Sequence, residues 1–319
     1  MKVGLKYLNN GDKEEKPEIS FSILMANYNN SKYIEVAVNS VLNQTYPYWE
    51  LVIVDDNSSD DSLNVIKQYL TQENIKLIRH DKNLGYGGSL KTAAANATKD
   101  VLCILDPDDK LDEKALEILA DAYSKYPEYG FIYSNLWICD SNLENCIIAK
   151  SGPRNPNDST IFNHVVYHLK SFRKEVYDKT IGYEISQKRT VDKDIIYKLE
   201  EVTDFKYINK PLYYYRKHSG GISQYKNVTE AFLYHYIAKL KTYRRRLNTD
   251  LPNFTKYDLI TDYIIITFKS ITEFRKTIYR FFRINLLLYK IQKRFPKLTF
   301  KFQNRFKKES AKKLLRSLL

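Results

Sequence analysis

Between residues 19 and 105 four short apolar runs alternate with stretches of helical spacing, and that alternation is the strongest constraint on the fold. The runs are Ile19–Ala26, Leu51–Val54, Ile75–Ile78 and Val101–Leu105. Each is too short for a helix and reads as a buried strand. Between them Tyr33, Ile34, Ala37, Val38 and Val41, then Leu63, Ile66, Tyr69 and Leu70, recur at helical spacing, and an Ala-rich helix follows Gly88. A βαβαβαβ order with short connections predicts a parallel, doubly wound sheet with helices on both faces. Right-handed crossovers then place the strand ends bearing Asn27, Asp56 and Asp106–Asp109 along one edge, where open α/β sheets bind ligands.

The fourth run delivers the densest chemistry. Asp106, Asp108 and Asp109 follow it within four residues, and Pro107 forbids simple continuation of the strand. Carboxylates so close repel unless a cation lies between them. A hard divalent ion, Mg2+ or Mn2+, fits and could also hold a diphosphate. The bland alternative is an acidic turn with Asp109 or Asp112 capping the next helix. Asp56, at the end of the second strand, is placed to accept hydrogen bonds from a base N–H or a ribose hydroxyl, while Asp55 reads as structural. Gly85–Gly88 lacks the Gly-Lys-Ser/Thr ending of a Walker loop. It reads equally as a helix start or a phosphate contact, with Lys91 one turn further on.

Beyond residue 111 the character changes. Leu111–Tyr126 reads as a helix, Gly130–Asp140 and Cys146–Lys150 as a β-pair, and Ser151–Ser159 as a mobile loop. Residues 161–180 are mixed, Val191–Glu201 is a helix opening on Asp192 and Asp194, and 205–209 and 212–215 are short strands leading to His218. Carboxylates in a first helical turn suit the helix dipole. His218 becomes a ligand or phosphate partner only if the fold brings it to the Asp cluster.

The formal charge is +13, yet fifteen basic residues lie between Phe274 and Leu319, opposed there by Glu309 alone. The basic character therefore belongs to the tail. From Phe274 to Phe295, apolar residues at spacings of three and four share one helical face, with basic residues filling much of the rest. Such a helix suits an anionic membrane interface, or packs its stripe on the body. No apolar run reaches the roughly 20 residues of a membrane span, and residues 1–16 lack a signal-peptide core. Three cysteines without CxxC spacing suggest neither a disulfide framework nor a zinc site, so a reducing cytosol is the default. Cys139 and Cys146 flank a turn and could face each other across it.

Taken in order, several segments resemble the inverting family 2 glycosyltransferases of GT-A fold. They are Ser22–Asn29, Ser40–Tyr46, Glu50–Asp60, Asn83-Leu84-Gly85 and Leu105–Asp109, then Phe172–Tyr177, Asp192–Leu199 and Pro211–His218. The resemblance implies a Rossmann-like, mostly parallel sheet with a C-terminal helical basic extension. It implies a lead over 1–18, a catalytic domain over 19–223 (nucleotide-sugar half 19–110, acceptor half 111–223) and a basic region over 224–319. Ala26 and Tyr28 match the turn that meets the nucleotide, and Asp56 the residue that binds the base, typically uracil. Asn83 and Lys91 join the nucleotide-sugar set. Asp106 and Asp108 match the DxD acids, the first toward the ribose, the second on a Mn2+ or Mg2+ ion, with Asp106, Asp109 and His218 as further metal candidates. Asp192 falls at the catalytic base. The family usually has Glu-Asp there, whereas this chain has Val191-Asp192, which leaves Asp194 as an outside candidate. The implied reaction moves a sugar from a nucleotide-sugar, most often a UDP-sugar, to a glycan or lipid-linked acceptor. It would run in the cytoplasm, on the inner face of the membrane. A polyprenyl-phosphate glycosyltransferase is the alternative within the fold. Nucleic-acid binding by the tail is the alternative of another class, and no nucleic-acid partner is expected.

Overall fold

A computed structural model describes residues 18–154, 159–161, 165–218 and 228–247. The four expected strands are β1 (Phe21–Asn27), β2 (Trp49–Asp55), β3 (Ile75–Arg79) and β4 (Val101–Ile104). They lie parallel in the order β3-β2-β1-β4. β1 and β2 are buried along their whole length, as expected where helices cover both faces of a parallel sheet. Alternation along β1 feeds two cores. Ile23 and Met25 pack with helices α1 (Ile34–Leu42), α2 (Ser62–Lys67) and α4 (Ala115–Lys125). Leu24 and Ala26 pack on the other face with α3 (Tyr86–Ala95) and α6 (Val191–Leu199). Asn27, Asp55 and Arg79 are in register, so the C-terminal strand ends form one edge.

The second half is a mixed extension of the same sheet, in the order β4-β8-β6-β9-β5. β8 (Lys170–Arg173) runs antiparallel to β4 and to β6 (Phe131–Cys139) and leads directly into α5 (Lys174–Asp178). β6 pairs antiparallel with β7 (Ile147–Ala149), the expected β-pair. Across that hairpin Cys139 and Cys146 form a disulfide with Cα atoms 4.1 Å apart, which corrects the expectation of reduced thiols there; Cys103 is free and buried. The helix expected from Leu111 begins only at Ala115. Lys110–Leu111 instead forms a two-residue strand, β5, against β9 (Phe205–Arg216), where Leu111 is buried. The two strands expected at 205–209 and 212–215 are one, β9, parallel to β6. The apparent gap is a register shift near Asn135↔Pro211. Proline has no N–H for the ladder, and the irregularity absorbs the missing bond.

Helix α7 (Val228–Leu247) lies beyond the expected boundary at residue 223, yet it is anchored on α6. Arg245 grips Glu201 with two hydrogen bonds of 2.6 and 2.8 Å. Arg246, fully buried, reaches Glu200, Ser159 Oγ and the Tyr197 carbonyl, and Arg154 also meets Glu200. Among the described residues no helix is long and apolar enough to cross a membrane. The amphipathic stretch 274–295 lies outside the described residues.

Candidate active site

The site is built along the edge formed by the ends of β1 to β4. Asp55, fully buried, accepts hydrogen bonds from Asn27 Nδ2 (2.8 Å) and the Ser58 N–H (3.0 Å). It ties the first two strand ends together, the structural role its position suggested. Asp56 is also buried. It accepts from the Leu84 and Gly85 N–H groups at 2.8 and 2.7 Å, and His80 Nδ1 lies 2.7 Å away. The Asn83 amide donates to its carbonyl, and His80 Nε2 reaches Thr92 Oγ1. The carboxylate of Asp56 thus holds the loop that opens α3, where Gly85 sits at φ +82°, a conformation that favours glycine. Gly87 lies so close to the Glu184 carbonyl that a Cβ would stand 2.7 Å from it. These glycines shape and pack a helix start. Ala26 is buried at the end of β1, Tyr28 is exposed just beyond it, and Lys91 is exposed on α3.

At the end of β4 the three acids separate into different environments. Asp106 accepts from the Tyr86 hydroxyl at 2.6 Å, and its own N–H donates to Tyr213. Burial, and then the negative charge of Asp108, push its carboxyl up to about 6, against the opposing pull of Tyr86 and Lys170. Asp109 is buried. It accepts from the Tyr213 hydroxyl (2.8 Å) and the Arg216 N–H (2.7 Å). Both its oxygens therefore fasten β9. Asp108 points outward with its side chain 24% exposed, and its Oδ2 is 2.8 Å from His218 Nε2. The fold thus brings His218 to the Asp cluster. The His218 ring packs on Tyr33, and the Arg216 guanidinium covers the same ring while its Nε donates to the Asp108 carbonyl.

Among the described residues no three His, Cys, Asp or Glu side chains form a ready-made metal cage. A Mg2+ or Mn2+ ion bound with a diphosphate needs only one or two protein carboxylates, because phosphate and water oxygens complete its shell. A partly exposed carboxylate with an imidazole beside it, next to a second, partly buried acid, is a donor set that fits such an ion.

Asp192 lies in the first turn of α6 with its side chain 44% exposed, and the ammonium of Lys170 meets its Oδ2 at 3.1 Å. Loss of water would raise its carboxyl; Lys170 and then Lys193 outweigh that and hold it well below the ordinary range. Asp194, the outside candidate for the base, turns inward. It is 1% exposed and pairs with buried Lys198 at 2.6 Å, so the structure does not bring it to the cleft. Replacing Asp194 by alanine strips a buried ammonium of its closest carboxylate. We expect a loss of about 3–5 kcal/mol of stability, read as a lower midpoint of thermal unfolding, with turnover per folded molecule retained.

Sequence reasoning missed Tyr86, Tyr213, Arg216, His80 and Lys170. Arg216 stood within a segment already singled out, and His80 directly follows a strand end on the ligand-binding edge. Nothing marked Lys170, because β8 is too short and polar to register as a strand.

The mixed α/β sheet, with acids at the ends of its parallel strands, has the GT-A fold. The chain belongs to glycosyl transferase family 2, whose family model matches residues 22–181. Chondroitin synthase of Escherichia coli is 31% identical over 193 residues, 60% of this chain and 28% of that one. The UDP-Glc:alpha-D-GlcNAc-diphosphoundecaprenol beta-1,3-glucosyltransferase WfgD of Escherichia coli is 33% identical over 121 residues, 38% of this chain and 47% of its own. The matches thus span less than half the length of these two relatives. Among solved structures, S. aureus TarS 1-349 in complex with UDP-GlcNAc superposes with a TM-score of 0.63 at 21% identity, over 79% of this chain and 73% of that one.

Proposed function

We propose that this family 2 enzyme is a metal-dependent, inverting glycosyltransferase. It transfers a sugar from a UDP-sugar to a hydroxyl of a glycan or lipid-linked glycan in surface polysaccharide synthesis. The carrying observation is the division of the acids. Asp108 sits with His218 beside partly buried Asp106, whereas Asp192 presents a half-exposed, ionised carboxylate from another element. Asp108 and His218 would hold the ion, with Asp106 directed to the ribose. When bound, a divalent cation supplies charge neutralisation for the departing diphosphate. Asp192 takes the proton of the acceptor hydroxyl as the new bond forms. One base and no protein nucleophile yield inversion. Ala26, Tyr28, Asn83 and Lys91 flank the nucleotide, and Asp56 serves it by holding the 83–85 loop. The UDP donor and the lipid-linked or glycan acceptor are supported by the similarity to WfgD, a UDP-Glc:alpha-D-GlcNAc-diphosphoundecaprenol beta-1,3-glucosyltransferase, and to TarS, which binds UDP-GlcNAc.

A screen of nucleotide-sugars for slow hydrolysis tests the reading. A UDP-sugar should be hydrolysed with Mn2+ and spared in EDTA. Absence of turnover on every nucleotide-sugar with either Mn2+ or Mg2+ would overturn it.

In the same proposal, residues 274–319 hold the enzyme against the anionic inner face of the cell membrane, near a lipid-linked acceptor. Each Lys or Arg near such a surface contributes about 1 kcal/mol. The full chain should sediment with anionic vesicles at low salt and be released at high salt, where screening shortens the attraction. Failure to sediment at low salt assigns the amphipathic stretch to packing on the body instead.

A further inference from the structure

Lys170 is the unexplained charge in the fold. It is on β8, a four-residue strand between β4 and β6, and it is only 3% exposed. Strand alternation places it on the same face as Phe172, which packs with the α6 residues Val191, Ile195 and Ile196. Packing alone does not require a lysine there. A buried ammonium is costly, and an apolar side chain of similar volume is often neutral or stabilising in its place. Nor does Asp192 need the lysine in order to be tolerated, since its carboxylate is 44% exposed to water. The contact between them spans two elements, β8 and the first turn of α6.

We propose that Lys170 is the positioning residue of the general base: its ammonium fixes one oxygen of Asp192 and leaves the other to the acceptor hydroxyl. The proposal rests on the reading of Asp192 as the base and adds to it the group that orients and ionises it. Without a fixed partner, a first-turn aspartate can rotate about χ1 and bond backbone N–H groups of its own helix. Held at Oδ2, it offers Oδ1 in one direction, and a base must lie within hydrogen-bond reach of the proton it removes.

The charges around Asp192 set the sign of the expected pH effect. Lys170 faces it from β8 and Lys193 from α6 itself, and both favour the ionised form; His168, just before β8, is itself held well below the ordinary histidine range by burial and by Lys170, so it adds little charge. Asp106 at the end of β4 works the other way, and among the described residues Tyr86, Tyr183 and Tyr197 also feel the charge of Asp192. Removing one cation from this set raises the midpoint of Asp192. An opposite charge within a few ångströms moves a carboxyl by about 1–3 pH units, so that is the expected rise.

The test uses the full-length protein with aspartate labelled by 13C at the carboxyl. The Asp192 signal is assigned by its loss in Asp192→Asn. In the wild type it should show no midpoint above pH 4. In Lys170→Met the midpoint should rise by about 1–3 units, and Lys170→Arg should restore it. Turnover on the nucleotide-sugar selected by the screen above should fall in kcat in Lys170→Met while KM for the donor holds. If Lys170→Met does not fold, Lys170→Gln removes the charge but keeps a donor and is read the same way. A midpoint that stays put, or a shifted midpoint with unchanged kcat, overturns the proposal. Full turnover by Asp192→Asn instead overturns the reading of the base, whatever the lysine variants show.

Discussion

Replacing Asp108 by alanine is expected to abolish sugar transfer while leaving the protein folded. The side chain of Asp108 faces outward, and its hydrogen bond to His218 is the contact that the substitution removes. The bond that ties this residue into the fold runs to its backbone carbonyl from Arg216 Nε, at 2.6 Å, and alanine keeps that carbonyl. Asp109→Ala is the instructive contrast. It deletes the acceptor of both the Tyr213 hydroxyl and the Arg216 N–H, so it should loosen β9 and lower the unfolding midpoint. The loss at Asp108 is chemical. Lewis-acid stabilisation of a leaving diphosphate is worth several kcal/mol, which at about 1.36 kcal/mol per decade is a factor of roughly 10³ or more in rate. Chelation of the wild type should reproduce it, and added Mn2+ or Mg2+ should rescue the wild type but not the variant. Calorimetry of Mn2+ with UDP offers a readout independent of turnover, because the variant should lose the metal-dependent part of UDP affinity. Full activity of the wild type in excess EDTA would sink the metal assignment.

The half of the fold that presents the nucleotide edge was legible because its strands are buried on both faces. Such strands are continuous apolar runs, and β1, β2 and β4 all read that way within one or two residues at most ends. The other half was harder for the same physical reason in reverse. β8 carries Lys170, Ser171 and Arg173, so three of its four residues are polar; they are tolerated because Lys170 has Asp192, Ser171 has Tyr123 and Arg173 has the Tyr123 carbonyl. Pro211 divided β9 on paper, whereas the shift against β6 absorbs it. In the site, residue type and spacing marked the acids but could not rank them. Asp108 and Asp109 are neighbours in the chain, yet one meets His218 at the mouth and the other is enclosed by β9. Asp192 and Asp194 lie two residues apart on one helix, so they point about 200° apart around its axis. One is half exposed and the other is enclosed in the core. That choice depends on how α6 sits on the sheet, which tertiary contacts decide.

Substituting asparagine for Asp192 is the second large effect expected. The amide keeps the size of the side chain and a hydrogen-bond acceptor, but it cannot take a proton. Loss of a general base typically lowers the rate by about 10²–10⁴-fold. Donor affinity should survive, because Asp106 and Asp108 lie on elements other than α6. The fold should survive as well: Asp192 is half exposed, and the amide oxygen can still accept from Lys170. The wild-type pH profile carries a sign that checks the assignment. Lysines on two sides hold the carboxyl of Asp192 below its ordinary value, so deprotonation is complete in mildly acidic solution, and lowering the pH toward 5 should not remove activity through this group. An acid limb that begins near neutrality would have to come from another residue, and Asp106, raised to about 6, is the nearest one. The same variant separates acceptor classes. A phosphate acceptor is already ionised and needs no base, so transfer to a polyprenyl phosphate should be almost indifferent to Asp192→Asn, whereas transfer to a hydroxyl should collapse. Near wild-type transfer to a hydroxyl acceptor by Asp192→Asn would remove this residue from the mechanism, and the buried pairing of Asp194 with Lys198 means that its neighbour could not simply take over the role.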